Sequence, residues 1–292
     1  MDQKLIRRAA PFAVIALLAA CQSQKPDTAS QAAAILHKHP SDFLDQASAL
    51  DAVAAAEISP EGPRRPLIAS VYEMRALLQP LIAKAQSDSE KVAVLNAFVF
   101  DSLGIQPVLL DSGLATSIPS LMLAEKRGSC VGLSLLYLAM GQTLSLPLHP
   151  VFLPGHVFVR FRSETYVRNI ETLRRGLERS NAFYDSAFAL NARPWYRLLD
   201  GESAQALGAL AFNMGNELRA RGEWEQALAL FRLSEEAVPG FPDALGSQGA
   251  ALMKLGRNED ARNKLKASLA GDSISRQAWR NLAIIDSLES GL

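Results

Sequence analysis

Two residues in the middle of the chain have the types and the setting for nucleophilic chemistry. Cys130 follows Arg127-Gly128-Ser129 and opens an apolar run, Val131-Gly132-Leu133-Ser134-Leu135-Leu136-Tyr137-Leu138-Ala139-Met140. Glycine and serine suit a helix start, which predicts Cys130 in the first turn of a helix. Free backbone N–H groups and the positive end of the helix dipole stabilise a thiolate there, and the same N–H groups can hold a developing oxyanion. Farther along, Pro154-Gly155-His156-Val157-Phe158-Val159-Arg160-Phe161 alternates as a strand, and Tyr166 to Thr172 reads as a second strand after a short polar turn. With Ser163-Glu164 as a two-residue turn, His156 is expected opposite Glu171 and Phe158 opposite Asn169. Side chains alternate with period two, so both polar residues fall on the histidine's side of the sheet. A helix-start thiol, a strand histidine and an adjacent Asn169 or Glu171 make a nucleophile–base–orienter set. Taken singly, Cys130 and His156 also fit a buried core, where cysteine is common; their combination points to chemistry.

The elements that must position these residues come before and between them. Residues 41–104 read as helical: Phe43 to Ala56, Leu67 to Ala85 with a kink or break at Pro80, and Glu90 to Leu103. Ser41 and Ser89 are expected as N-caps, and Gly62-Pro63-Arg64-Arg65-Pro66 separates the first two helices. Arg160, Arg162, Arg174 and Arg175 cluster near the hairpin and read as a solvated face. His149, between Pro147 and Pro150, reads as a loop residue, and His37 and His39 as solvated. The four histidines form no metal-ligand spacing with cysteine or carboxylate, so neither a metal nor another cofactor is expected.

Thirty basic residues balance thirty acidic ones without a long run of either sign, which argues against nucleic acid as a partner. Lys4, Arg7 and Arg8 precede an apolar run at residues 9–20, the layout of an export signal and shorter than the roughly 20 residues a membrane span needs. Its end, Leu18-Ala19-Ala20-Cys21, resembles the lipobox of bacterial lipoproteins. Residues 1–20 are therefore expected to be removed, Cys21 to carry lipid, and residues 21–40 to form a polar tether. Gln22, where an aspartate would favour inner-membrane retention, points to the outer membrane with the protein facing the periplasm. Cys21 and Cys130 are the two cysteines of the chain. With the first committed to lipid, the second is a free thiol in an oxidising compartment.

From about residue 205 to the end at 292 the sequence repeats with a period of 34: Gly215 matches Gly249, Gly222 matches Gly256, Ala227 matches Ala261, and Phe231 matches Leu265. The period and the small residues resemble the tetratricopeptide repeat, two antiparallel helices per unit. Pro239 is expected to end the first unit, and a lone helix from about Ser275 to cap the last apolar face.

Lys91–Gly104 (Lys-Val-Ala-Val-Leu-Asn-Ala-Phe-Val-Phe-Asp-Ser-Leu-Gly), Gly128-Ser-Cys-Val-Gly-Leu, Leu153-Pro-Gly-His-Val-Phe-Val-Arg160 and Asn169-Ile-Glu-Thr172 look like the transglutaminase-like core, in the bacterial branch that continues into tetratricopeptide repeats. The resemblance implies an α+β, papain-like fold over residues 41–204, in which a helix bearing the cysteine packs on a small antiparallel sheet, followed by an all-α repeat segment over 205–292. It implies Cys130 as nucleophile and His156 as base. The family's aspartate position falls on Asn169, a departure from its pattern, and Glu171 is the rival favoured by the strand register. The leading expectation is a membrane-anchored thiol enzyme that hydrolyses or transamidates an amide of a peptide or protein. The alternative is a non-catalytic envelope adaptor, with a degenerate core and a partner protein bound on the repeat surface.

Overall fold

The computed structural model describes residues 27–38, 42–59, 65–109 and 113–290. Cys21, His39, Ser41 and the export signal lie outside the described residues. Four helices come first: α1 (Thr28–Leu36), α2 (Phe43–Ile58), α3 (Leu67–Lys84) and α4 (Asp88–Ala97). The last runs on into a π-helical turn at Phe98–Ser102. α1 falls inside the stretch expected to be tether. Asp27 caps it by accepting the Ser30 N–H at 2.8 Å, and Ala29 and Ala32 are buried, so this segment is part of the packed body. Its neighbour His37 is exposed yet paired with Glu236 at 2.8 Å. The N-caps of α2 and α4 are Asp42 and Ser87, a correction for Ser89: the Ser87 hydroxyl accepts the Glu90 N–H at 3.2 Å. Pro80 sits within α3 and does not end it.

Next come a two-residue strand β1 (Gln106–Pro107), helix α5 (Pro119–Glu125) and strand β2 (Arg127–Gly128), which pairs in parallel with β1. Helix α6 (Cys130–Leu144) follows, and all of its residues from 131 to 141 are buried. An apolar helix of this kind has no solvent face, so it forms the centre of the domain. It packs against α2, α3 and the first two strands of a four-stranded antiparallel sheet, β3 (Leu148–Leu153), β4 (His156–Arg162), β5 (Val167–Glu171) and β6 (Leu177–Glu178), in that order. β3 was not legible as a strand because Pro147 precedes it and Pro150 interrupts it. Pro150 is tolerated because β3 is an edge: its carbonyl points outward to accept the Gly201 N–H at 2.8 Å, so the ring replaces an N–H that the ladder did not use. His149 therefore lies in a strand.

The β4–β5 register differs from expectation by one turn position. Val159 pairs with Ile170 and Arg160 with Asn169, so the turn centres on Glu164-Thr165. Ser163 sets it: its N–H donates to the Tyr166 carbonyl at 2.9 Å, and its hydroxyl accepts the Tyr166 N–H at 3.1 Å. Moving every pair by two residues leaves parity intact, so His156, Asn169 and Glu171 still share one face of the sheet.

A short helix α7 (Asn181–Ala187) leads to five helices arranged as two hairpins and a final helix: α8 (Gln205–Ala220), α9 (Trp224–Ala237), α10 (Pro242–Lys254), α11 (Asn258–Gly271) and α12 (Arg276–Ser290). The sequence period has a direct steric meaning. A Cβ at Gly215 would lie 2.6 Å from Phe231, and one at Gly249 would lie 2.6 Å from Leu265, so each hairpin closes over a glycine. α8 packs on α6, and an aromatic cluster joins the hairpins to the sheet: Phe152 of β3 lies 5.6 Å from Phe241, which lies 5.8 Å from Phe212 of α8. Among the described residues no helix is long and apolar enough to cross a membrane.

Candidate active site

Cys130 occupies the first turn of α6. Ser129 is the N-cap, with its hydroxyl facing the Gly132 N–H at 3.4 Å. The glycine at 132 is required by close approach, since a Cβ there would meet the Thr116 carbonyl oxygen at 2.4 Å. That oxygen is backbone and accepts the Ser129 N–H at 2.9 Å, so it cannot swing aside. Gly132→Ala is accordingly expected to cost about 1–3 kcal/mol, as overpacking of a tight contact does. A urea-unfolding midpoint unchanged from wild type would show that the 114–117 turn gives way freely.

His156 begins β4, immediately after the Pro154-Gly155 turn, where Gly155 has φ +65°. Its ring Nε2 lies 3.0 Å from Glu171 Oε2. Cys130 lines the same cleft as His156 and acts electrostatically on the ring, raising its basicity. Phe188 lies parallel to the imidazole, with centroids 6.3 Å apart. Burial alone would lower the basicity of this histidine. The hydrogen bonds and negative charge of Cys130 and Glu171 outweigh it and push the imidazole up to about 10.

Glu171, the last residue of β5, has both carboxylate oxygens engaged. Oε2 takes His156 and the Tyr184 hydroxyl, each at 3.0 Å, and Oε1 takes the Leu173 N–H at 3.1 Å. Burial would raise its carboxyl, but the His156 contact, the Leu173 N–H and the Tyr184 hydroxyl hold it below the usual glutamate range. Asn169, two residues earlier, is placed elsewhere. It accepts from Arg160 Nε at 2.6 Å and donates to the Arg179 carbonyl at 2.8 Å and Asn181 at 2.9 Å. Asn169 thus sits in an arginine network, and the residue beside His156 is Glu171. The cause is the register: Asn169 lies opposite Arg160, four residues beyond His156 along β4.

Cys130 and His156 open into a cleft of about 620 Å³. One wall is Leu114, Ser117 and Val157 from the core. The other is Phe212, Asn213 and Asn216 of α8. A cleft of this size, lined by polar and apolar groups in comparable measure, has room for a substrate chain. Among the described residues no group of His, Cys, Asp and Glu is set to hold a metal ion.

Residues 65–186 match the family model of the transglutaminase-like superfamily. This stretch is a transglutaminase-like domain. Comparison with curated proteins finds no match to the chain. The matched span carries Cys130, His156, Asn169 and Glu171, and it ends just before the helical hairpins that supply the second wall of the cleft.

Several residues of the transglutaminase-like domain's surroundings were not foreseen from sequence. Tyr184 stacks on Phe158 with centroids 4.4 Å apart while its hydroxyl serves Glu171; nothing in its local sequence signals this. Arg160, expected on a solvated face, is 1 % exposed. Its signal was present in the strand pattern, since it shares the parity of His156. Asn213 and Asp243 line the cleft from helices whose sequence speaks only of packing.

Proposed function

We propose that the protein is a cysteine enzyme acting on an amide of a peptide or protein, with Cys130 as nucleophile, His156 as proton carrier and Glu171 as its orienter. The observation that supports it most is the His156–Glu171 contact at 3.0 Å, with Cys130 and His156 lining one open cleft. The proton of the thiol resides on His156 as the sulfur attacks the carbonyl carbon. A C–S bond forms, and the carbonyl electron pair moves to oxygen, facing the free N–H groups at the start of α6. The C–N bond then breaks, and the nitrogen leaves with the proton of His156. Water or an amine next attacks the thioester, gives its proton back to His156, and the sulfur departs. Water yields hydrolysis and an amine yields transamidation, through the same residues.

The setting of this chemistry belongs to the same proposal. The export signal and Cys21 support a lipid-anchored protein of a bacterial envelope, facing the periplasm from the outer membrane. The glycine-closed hairpins with a period of 34 support tetratricopeptide repeats, so peptide or protein substrates or partners would meet α8. The test is alkylation of the full chain by iodoacetamide. Cys130 should react faster in the folded protein than in the same protein unfolded in urea, and Cys130→Ser should release no amine from casein-derived peptides. A folded thiol that reacts no faster than the unfolded one would sink the proposal.

A further inference from the structure

We infer that the helices after residue 205 are part of the site, with Asp243 a positioning residue for His156 and Asn213 one for Cys130. This rests on the catalytic reading above. The two residues sit on different helices, α10 and α8, yet each ends a short chain of hydrogen bonds next to one member of the pair. Asp243 Oδ2 accepts the Gly155 N–H at 2.8 Å, and Gly155 is the turn residue directly before His156. Asn213 Nδ2 donates to Ser117 Oγ at 2.9 Å, and Ser117 Oγ lies 2.8 Å from the hydroxyl of Ser129, the N-cap before Cys130.

Attachment of the hairpins does not need these bonds. Phe152, Phe212 and Phe241 already form an apolar contact between sheet and hairpins, and Arg221 pairs with Glu57 at 2.5 Å at another part of the boundary. The polar bonds lie inside the cleft instead, where all of Ser117, Ser129, Gly155, Asn213 and Asp243 are lining residues. The ladder pairs Leu153 with His156 across the turn, and Gly155, with φ +65° and nothing within 4 Å of where a Cβ would be, gains from Asp243 a side-chain restraint on the backbone leading into His156. A small displacement there moves the imidazole relative to sulfur, and misplacement by about 1 Å can cost on the order of a hundredfold in rate.

The experiment measures iodoacetamide alkylation of Cys130 at pH 6 in the full chain, with each variant's thermal melting recorded alongside. Asp243→Ala should slow alkylation about tenfold, the equivalent of one well-made hydrogen bond. Asp243→Asn keeps a carbonyl acceptor for Gly155 and should lose no more than about threefold. Asn213→Ala should also slow the reaction, while Leu288→Ala, on the exposed face of α12, should not. In a His156→Ala background Asp243→Ala should add no further loss, because its effect passes through the histidine; a purely structural role would add in full. If Asp243→Ala melts below the assay temperature, Asn213→Ala and Asp243→Asn carry the test. Wild-type alkylation no faster than in His156→Ala would overturn the catalytic reading, and this inference with it. A fast wild type with Asp243→Ala and Asn213→Ala equally fast, or equal losses in Asp243→Asn and Asp243→Ala, would overturn the inference alone.

Discussion

Replacing His156 with alanine is expected to slow alkylation of Cys130 at pH 6 by about a hundredfold. Iodoacetamide alkylates the thiolate, a neighbouring imidazolium favours that form over the thiol, and alanine removes the cation. The effect is somewhat reduced because a thiolate stabilised by its neighbour is a weaker nucleophile. His156 can play this part because Cys130 and Glu171 together push it up to about 10 against the lowering effect of burial. The sign for stability follows. The folded value lies above the unfolded value of 6.5, so the pair stabilises the fold fully below about pH 6.5, and that contribution fades as pH rises through about 10. Amide turnover, which needs the imidazolium as acid, should fall over the same alkaline limb. Glu171→Gln removes one of the two charges on the ring and should move that limb to lower pH, with a smaller loss of alkylation rate than His156→Ala. A pH profile of alkylation and turnover for the three proteins reads all of this. A limb that does not move in Glu171→Gln would detach the carboxylate from the chemistry.

The placements of Cys130 at a helix start and His156 on a strand were readable because they obey local rules. Gly128-Ser129-Cys130 starts a helix for reasons contained in three residues, and His156 sits in a run with a period of two. The face shared by His156 and Glu171 survived an error in register, because a shift of two preserves parity. What the register did decide was the choice between Asn169 and Glu171, and that depended on a side-chain bond in the turn, Ser163 to Tyr166, with no strong sequence signal. The second wall of the cleft was illegible for a different reason. The 34-residue period reports how each hairpin closes on itself, through Gly215 and Gly249, and carries nothing about where the hairpins dock. Docking depends on contacts such as Phe152 with Phe241 and Gly155 with Asp243, nearly 90 residues apart in sequence. α1 was misread as tether for the same reason: Ala29 and Ala32 look indifferent until a surface is present to cover them.

Arg160→Ala is expected to destabilise the protein by about 3–5 kcal/mol, the range for breaking a buried charge network from one side. Arg160 is 1 % exposed and engages all three guanidinium nitrogens: Nε donates to Asn169 at 2.6 Å, one terminal nitrogen to the Leu198 carbonyl and Asp200 at 2.7 Å each, and the other to Asn181 at 3.0 Å. Alanine leaves these acceptors facing a void, and only Asp200 keeps another cationic partner, Arg162. Lysine should recover little, because a single ammonium cannot reach partners spread around a planar fork. The effect should extend to the site. Asn169 is held by Arg160 and by Asn181, and it lies on the same strand as Glu171, two residues away, so loosening it frees the end of β5. Urea unfolding gives the stability, and alkylation of Cys130 well below the unfolding midpoint gives the effect on the site. A loss under about 1 kcal/mol would mean that solvent reaches the network and replaces the arginine. A loss of the expected size with an unchanged alkylation rate would mean that Tyr184 and the Leu173 N–H hold Glu171 in place without help from the arginine side of the strand.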